Sequence, residues 1–111
     1  MEKFVISKEK TGEFKFDFID NKGNIIFSSG SYTRKTMCIK GIESVKRNSQ
    51  DSSKFNRKST LNSESYFNLK SFNGKFLGTS QMYQEKALRE NAIEIIKSKV
   101  PTASIEDQSK K

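Results

Sequence analysis

The sequence predicts an α+β domain in which two tandem β-β-β-α-β repeats form one antiparallel sheet with two helices packed on one face. Three observations predict it. Residues 3 to 54 lie over residues 54 to 105 at a shift of 51 without a gap, keeping Lys3/Lys54, Phe4/Phe55, Phe16/Phe67, Gly23/Gly74, Ser29/Ser80, Lys35/Lys86 and Ile42/Ile93. Within each copy, apolar side chains first alternate with polar ones and then switch to helical spacing. At 111 residues the chain has room for one domain, and a repeat of this length does not bury its apolar face alone. Copies of about 3–53 and 54–105 should therefore complete a single core in one domain, 1–111, with residues 107–111 as a frayed tail.

The elements follow in order. Phe4-Val5-Ile6 and Phe55-Asn56-Arg57 open the two units as first strands, the second being the less marked of the two because residues 47–65 are rich in Ser, Asn and Lys. Phe14, Phe16 and Phe18 alternate with Lys15, Asp17 and Ile19, and Phe67 and Leu69 alternate with Tyr66, Asn68 and Lys70. Both runs read as half-buried strands. Positions 16/67 and 18/69 then face inward, and 15/66, 17/68 and 19/70 form a wet outer face. Gly23 and Gly74 sit at the same place in hairpin turns leading to Ile25-Ile26-Phe27-Ser28 and Phe76-Leu77-Gly78-Thr79. After Tyr32, the residues Met37, Cys38, Gly41, Ile42 and Val45 share one helix face, with Thr33 as N-cap. Leu88, Ala92, Ile93 and Ile96 repeat that face, and Gln84 in place of Thr33 predicts a less crisp start. Pro101-Thr102 ends the second helix, and Ser104-Ile105 returns to extended structure.

The 32% apolar and 31% charged contents leave a thin core, to which nine Phe and three Tyr contribute. The formal charge is +8, with ten basic and seven acidic side chains in residues 1–51 and eleven and six in residues 52–111. The densest cluster is Lys46, Arg47, Lys54, Arg57 and Lys58 at the junction of the copies. Such a patch suits phosphates through counterion release, while a general basic bias also keeps a small protein soluble and complements helix C-termini. The single cysteine, Cys38, makes no internal disulfide, and Met1-Glu2-Lys3 leads into a strand without a long apolar run. No signal peptide or membrane span is expected, and the compartment that fits is reducing and cytoplasmic.

Gly23-Asn24-Ile25-Ile26, Ser29, Tyr32-Thr33 and Gly41 to Asn48, with Tyr66 to Lys70, Asn73-Gly74, Gly78 to Tyr83 and Arg89 to Glu94 in the second copy, resemble the YegP-like family of small bacterial proteins. The resemblance covers nearly the whole chain. It implies a unit of three strands, a helix and a short final strand, present as tandem copies or as single copies that dimerise, with C-terminal strands exchanged between units. It also implies a label of unknown function, with no catalytic residues to carry over. Phe27 and Met37 depart from the pattern where smaller residues are expected, and Ala92 stands in place of the helix glycine at 41.

The chain has no histidine. Imidazole acid–base catalysis, Ser-His or Cys-His nucleophiles and His-ligated zinc are thereby excluded. Cys38 lies on the apolar stripe, its repeat partner is Arg89, and an inert buried thiol is the simpler reading. Glu43 and Glu94 recur and suit acid–base work or a hard cation, but ion pairs with Lys46 and Lys97 explain them as well. Tyr32 and Tyr83 recur near Ser29/Ser80 and either line a pocket or pack under the helix starts. The remaining candidate binding surface is the outer sheet face with Lys15, Tyr66, Asn68 and Lys70, adjoined by Arg57 and Lys58. Basic and aromatic side chains on an open sheet are what single-stranded nucleic acid uses, although the outer aromatic is a lone Tyr66. The expectation is a non-enzymatic, basic binding or accessory protein without cofactor or membrane contact, the alternative being a nucleic-acid-associated protein. Its partner is open between nucleic acid and another protein. A monomer is favoured over a homodimer, because the tandem copies already meet the pairing that single copies meet by dimerising.

Overall fold

A computed structural model describes residues 1–110. Seven strands, β1 (Lys3–Lys8), β2 (Phe14–Ile19), β3 (Ile25–Ser28), β4 (Phe55–Ser59), β5 (Ser65–Lys70), β6 (Phe76–Ser80) and β7 (Ser104–Asp107), form one sheet in the order β4-β5-β6-β3-β2-β1-β7. Helices α1 (Lys35–Asn48) and α2 (Lys86–Lys99) carry the expected apolar stripes. The sheet is antiparallel except at β7, which runs parallel to β1 with Ser104 opposite Lys3 and Asp107 opposite Ile6. The expected antiparallel sheet is thus present from β1 to β6, with β7 added in parallel at the β1 edge. The exit from α2 delivers the chain to the end of the sheet where β1 begins, so the last strand runs alongside β1.

The core is built from the inner face of the sheet and the helix stripes. Phe4, Phe16, Phe18, Phe27, Phe67 and Leu69 are fully buried against Cys38, Ile42 and Val45 of α1 and Ile93 and Ile96 of α2. Met37 and Leu88, expected on that stripe, are 48% and 49% exposed. The buried positions of α1 run 38, 42 and 45, which turns residue 37 to the flank. The caps also differ from expectation. Arg34, not Thr33, is the N-cap of α1, with no side-chain bond, and Glu85 caps α2 with the same dihedrals, φ −130° and ψ 143°. The two helices thus start alike, and backbone geometry rather than a capping hydroxyl sets the boundary.

Gly23 and Gly74 adopt φ of +86° and +83° in their hairpin turns, as the glycine pairing predicts. The repeats meet at the centre of the sheet, where Phe27 lies opposite Ser80 and Ser28 opposite Thr79. Phe27 and Gly78 are equivalent positions, and the Phe27 ring occupies the space a side chain at 78 would need, its Cε2 only 2.5 Å from an ideal Cβ there. Stacking on Phe67, with ring centroids 6.1 Å apart, completes the seam. At the C-terminus the frayed tail expected from residue 107 is tied down at its start. The Gln108 N–H donates to the Ile6 carbonyl at 2.8 Å, and Ser109 is buried, its N–H donating to the Asp107 carboxylate at 2.9 Å. Lys111, part of that tail, lies outside the described residues.

Candidate functional site

The registers bring one residue from each strand into a row across the outer face of the sheet: Asn56, Asn68, Thr79, Ser28, Asp17, Val5 and Glu106. Directly opposed residues share a face. Two repeat-related hydrogen bonds satisfy the middle of the row, with Thr79 Oγ1 donating to Asn68 Oδ1 at 2.7 Å and Ser28 Oγ to Asp17 Oδ1 at 2.5 Å. Lys15 Nζ stands 3.7 Å from the same Asp17 oxygen, and Lys3 Nζ 2.5 Å from Glu106 Oε1. The first-repeat half of this face is therefore neutralised from within. On the second-repeat half, Lys58 lies opposite Tyr66, and Lys70 Nζ sits over the Phe76 ring at 5.1 Å from its centroid.

Arg57 does not join that face. It lies opposite the buried Phe67, so its side chain is on the helix side, where Nε donates to both Glu90 oxygens at 2.9 Å. Arg89 Nε adds a third bond to Glu90 at 2.9 Å. These three residues replace Ile6, Ile39 and Cys38 of the first copy. An apolar cluster has become an ion triad beside the outermost strand. The Arg57 and Arg89 guanidiniums hold the Glu90 carboxyl below its ordinary range.

The recurring tyrosines and glutamates are not gathered into one site. Tyr32 pairs through its backbone with Phe14, and Tyr83 with Ser65, at equivalent places in separate repeats. Burial raises both phenol pKa values. Glu43 and Glu94 are exposed; Glu94 lies 3.7 Å from Lys97 Nζ, whereas Lys46 Nζ donates instead to the Ala103 carbonyl at 2.9 Å. Burial pushes the Cys38 thiol up to about 11. No cluster of three or more metal-ligating side chains occurs among the described residues. No helix there is long and apolar enough to cross a membrane.

The concave feature with most chemistry lies between α1 and the β5–β6 turn. It encloses about 400 Å³ and is lined by Tyr32, Met37, Lys40, Arg47, Phe72, Lys75, Phe76 and smaller polar residues, with no acidic side chain among them. Spacings of three, four and seven along α1 put Met37, Lys40, Ser44 and Arg47 on this flank. Phe72 is 83% exposed and Phe76 59% exposed. Gly41 forms the floor, because a Cβ there would collide with the Tyr32 hydroxyl. No ion pair engages Lys40, Arg47 or Lys75 among the described residues.

The equivalent place in the other half sharpens this. Where the groove has Lys40, Arg47, Lys75 and Ser71, the repeat-related positions carry Asn91, Ser98, Asn24 and Asp20. Phe72 and Phe76 correspond to Asn21 and Ile25. Each charge exchange adds a cation or removes an acid, and both aromatic exchanges enlarge a ring surface. Asp20 contributes to the raised Tyr83 phenol in the other half, while nothing acidic lines the Tyr32 groove. Sequence reasoning read the hairpin turn at Gly74 and passed over Phe72 beside it. The signal was there, since Phe72, Lys75 and Phe76 break the repeat together.

Comparison with known proteins places the chain. The model of a domain of unknown function, DUF1508, matches residues 9–55 and 62–107, once per repeat. The chain belongs to the DUF1508 family. A UPF0339 protein of Stutzerimonas stutzeri is 39% identical over 92% of each chain, and the UPF0339 protein YegP of Escherichia coli K12 is 35% identical over 96% of each. The solution structure of a UPF0339 protein of Shewanella oneidensis superposes with a TM-score of 0.94 at 34% identity, covering 99% of this chain and 93% of the other. The E. coli YegP structure, described as of unknown function, gives 0.92, covering 99% and 95%. DUF1508 relatives thus share the tandem-repeat α+β sheet, and their names assign no activity.

Proposed function

We propose that the protein is a non-enzymatic binding protein that holds single-stranded nucleic acid in the groove between α1 and the β5–β6 turn. The observation that carries this reading is the divergence of the two repeats at that groove, which puts three unpaired cations around two exposed phenylalanine rings. Aromatic faces stack unpaired bases, and lysines and arginines follow the phosphates. Lys58, Tyr66 and Lys70 extend the same chemistry over the second-repeat half of the outer sheet face, beyond Phe76. A duplex hides its bases and gains only the electrostatic part of the interaction. The buried free cysteine suits a reducing, cytoplasmic setting, and the tandem repeat suits a monomer.

Fluorescence anisotropy with labelled single-stranded and double-stranded oligonucleotides, at low and near-physiological salt, tests the reading. Single-strand binding that survives near-physiological salt is expected, with Phe72→Ala weakening it by about 1–3 kcal/mol, the worth of one stacked base. Lys75→Glu should weaken binding and flatten its salt dependence. Binding confined to low salt, or indifferent to Phe72, would remove the groove as a nucleic-acid site and leave +8 as a solubility feature.

A further inference from the structure

The internal twofold offers a filled site and, 51 residues on, its unfilled counterpart. The filled one is the outer edge of β1. There β7 lies parallel, Lys3 Nζ binds the Glu106 carboxylate at 2.5 Å, Lys35 Nζ binds the Asp107 carboxylate at 2.8 Å, and the Ile6 carbonyl accepts from Gln108 N–H at 2.8 Å. Both lysines recur, as Lys54 and Lys86. Neither makes an ion pair among the described residues.

The edge beside them is open as well. β4, the repeat counterpart of β1, is the outermost strand on its side of the sheet. The alternation that turns the Ile6 carbonyl towards β7 turns the carbonyl of Arg57, its equivalent, away from β5 and out to this edge. The reason for the vacancy is covalent. The chain leaving α2 is free to lie beside β1 as β7, whereas the chain leaving α1 must become β4 itself. Cations at the open edge suit an acidic strand, as they do at the filled one. Cys38, which feels the charge of Asp107, is replaced here by Arg89. Arg57 stands nearby, with Glu90 already shared between the two arginines. Asp51 accepts from the Ser53 N–H and hydroxyl at 2.9 and 2.7 Å, and its charge also reaches Lys54 without forming an ion pair.

We propose that the β4 edge docks an extended acidic segment of a partner protein as an eighth strand parallel to β4. In the register of the filled site, an apolar residue lies opposite Phe55, a first carboxylate opposite Asn56 within reach of Lys54, and a second opposite Arg57 facing Lys86 and Arg89. Adding a strand supplies main-chain hydrogen bonds, and the charges select the sequence. A second copy of this chain is the weaker occupant, because its β7 is already used on its own β1. This edge is separate from the α1 groove, and neither proposal depends on the other.

The probe is a capped peptide with the sequence of residues 103–109, titrated into the full-length protein while backbone amide shifts are followed. The expected result is saturable shifts centred on Lys54 to Ser59 and on the start of α2. A peptide with Gln and Asn at the two acidic positions should bind about tenfold more weakly. Lys54→Glu with Lys86→Glu should abolish the shifts in a protein whose remaining spectrum is unchanged. Shifts confined to β1 mean that the peptide only displaces β7, and they overturn the proposal, as do shifts that ignore the charge changes or none at millimolar peptide. Lys3→Glu serves as the control, since it acts on the filled edge and should leave β4 binding intact.

Discussion

At the scale of single residues, the repeat acts as an internal control on backbone strain. Gly12, in the β1–β2 turn, has φ of +89°, and its counterpart in the β4–β5 turn is Ser63, with φ of +63°. Both turns keep the same hydrogen bonds, Gly12 N–H to Glu9 and Ser63 N–H to Thr60, so the turn imposes the left-handed conformation whatever residue occupies it. A side chain there costs roughly 1–2 kcal/mol, part of which glycine returns through its freer unfolded chain. Ser63→Gly should therefore raise stability by about 0.5–1 kcal/mol, read as a higher urea midpoint with unchanged slope. Repeat comparison made most core residues legible, because Phe16/Phe67 and Ile42/Ile93 are apolar in both copies. It misled at Met37 and Leu88, apolar in both and yet exposed. A hydrophobic residue one step off the stripe satisfies the helical period as well as one on it, and only the approach of the sheet separates the two cases. The groove was hidden for the opposite reason. Its residues differ between copies, and a filter for shared positions discards them.

At the scale of elements, the apolar pattern read through the repeat revealed six strands and both helices, while the direction of the seventh strand was not written in its residues. Four residues, Ser104 to Asp107, can pair either way, and the exit from α2 decides. Besides its main-chain ladder to β1, two ion pairs hold β7, Lys3–Glu106 and Lys35–Asp107. Lys35 Nζ, followed by the Ser109 hydroxyl and N–H, keeps the Asp107 carboxyl well below the usual carboxylate range. A folded-state pKa lowered in this way adds stability that is complete above the unfolded value, near 4, and is lost as pH falls from there through the folded value. Asp107→Asn removes the charge at every pH. The stability difference between the parent protein and Asp107→Asn should then be constant from about pH 7 to pH 5 and shrink below about pH 4. Urea unfolding of both proteins across that range measures it. A gap that persists undiminished into strong acid would show that the charge of Asp107 does not anchor β7.

At the scale of the whole molecule, two halves built on one plan are joined by a seam that is not symmetric. Few main-chain pairs link β3 to β6, so side-chain fit at the seam bears much of the union. That fit comes from unequal residues at equivalent positions, the large Phe27 filling the space left by Gly78. Two first repeats would set Phe27 against Phe27, and two second repeats would leave a void. The asymmetry thus favours pairing within the chain, in keeping with the proposed monomer, and it keeps the β4 edge and the α1 groove as single, distinct surfaces. The complementarity is testable by exchange. Phe27→Gly should cost about 3–5 kcal/mol for the emptied ring space, and Gly78→Phe about 1–3 kcal/mol or more for crowding Phe27 and the Ser28 carbonyl. The double exchange carries the ring to the other side of the twofold, where Phe16 stands as Phe67 does now. Additive losses would make the two sites independent. Recovery by at least about 1 kcal/mol over the sum of the single variants is the expected outcome, because residues that fill one space are coupled.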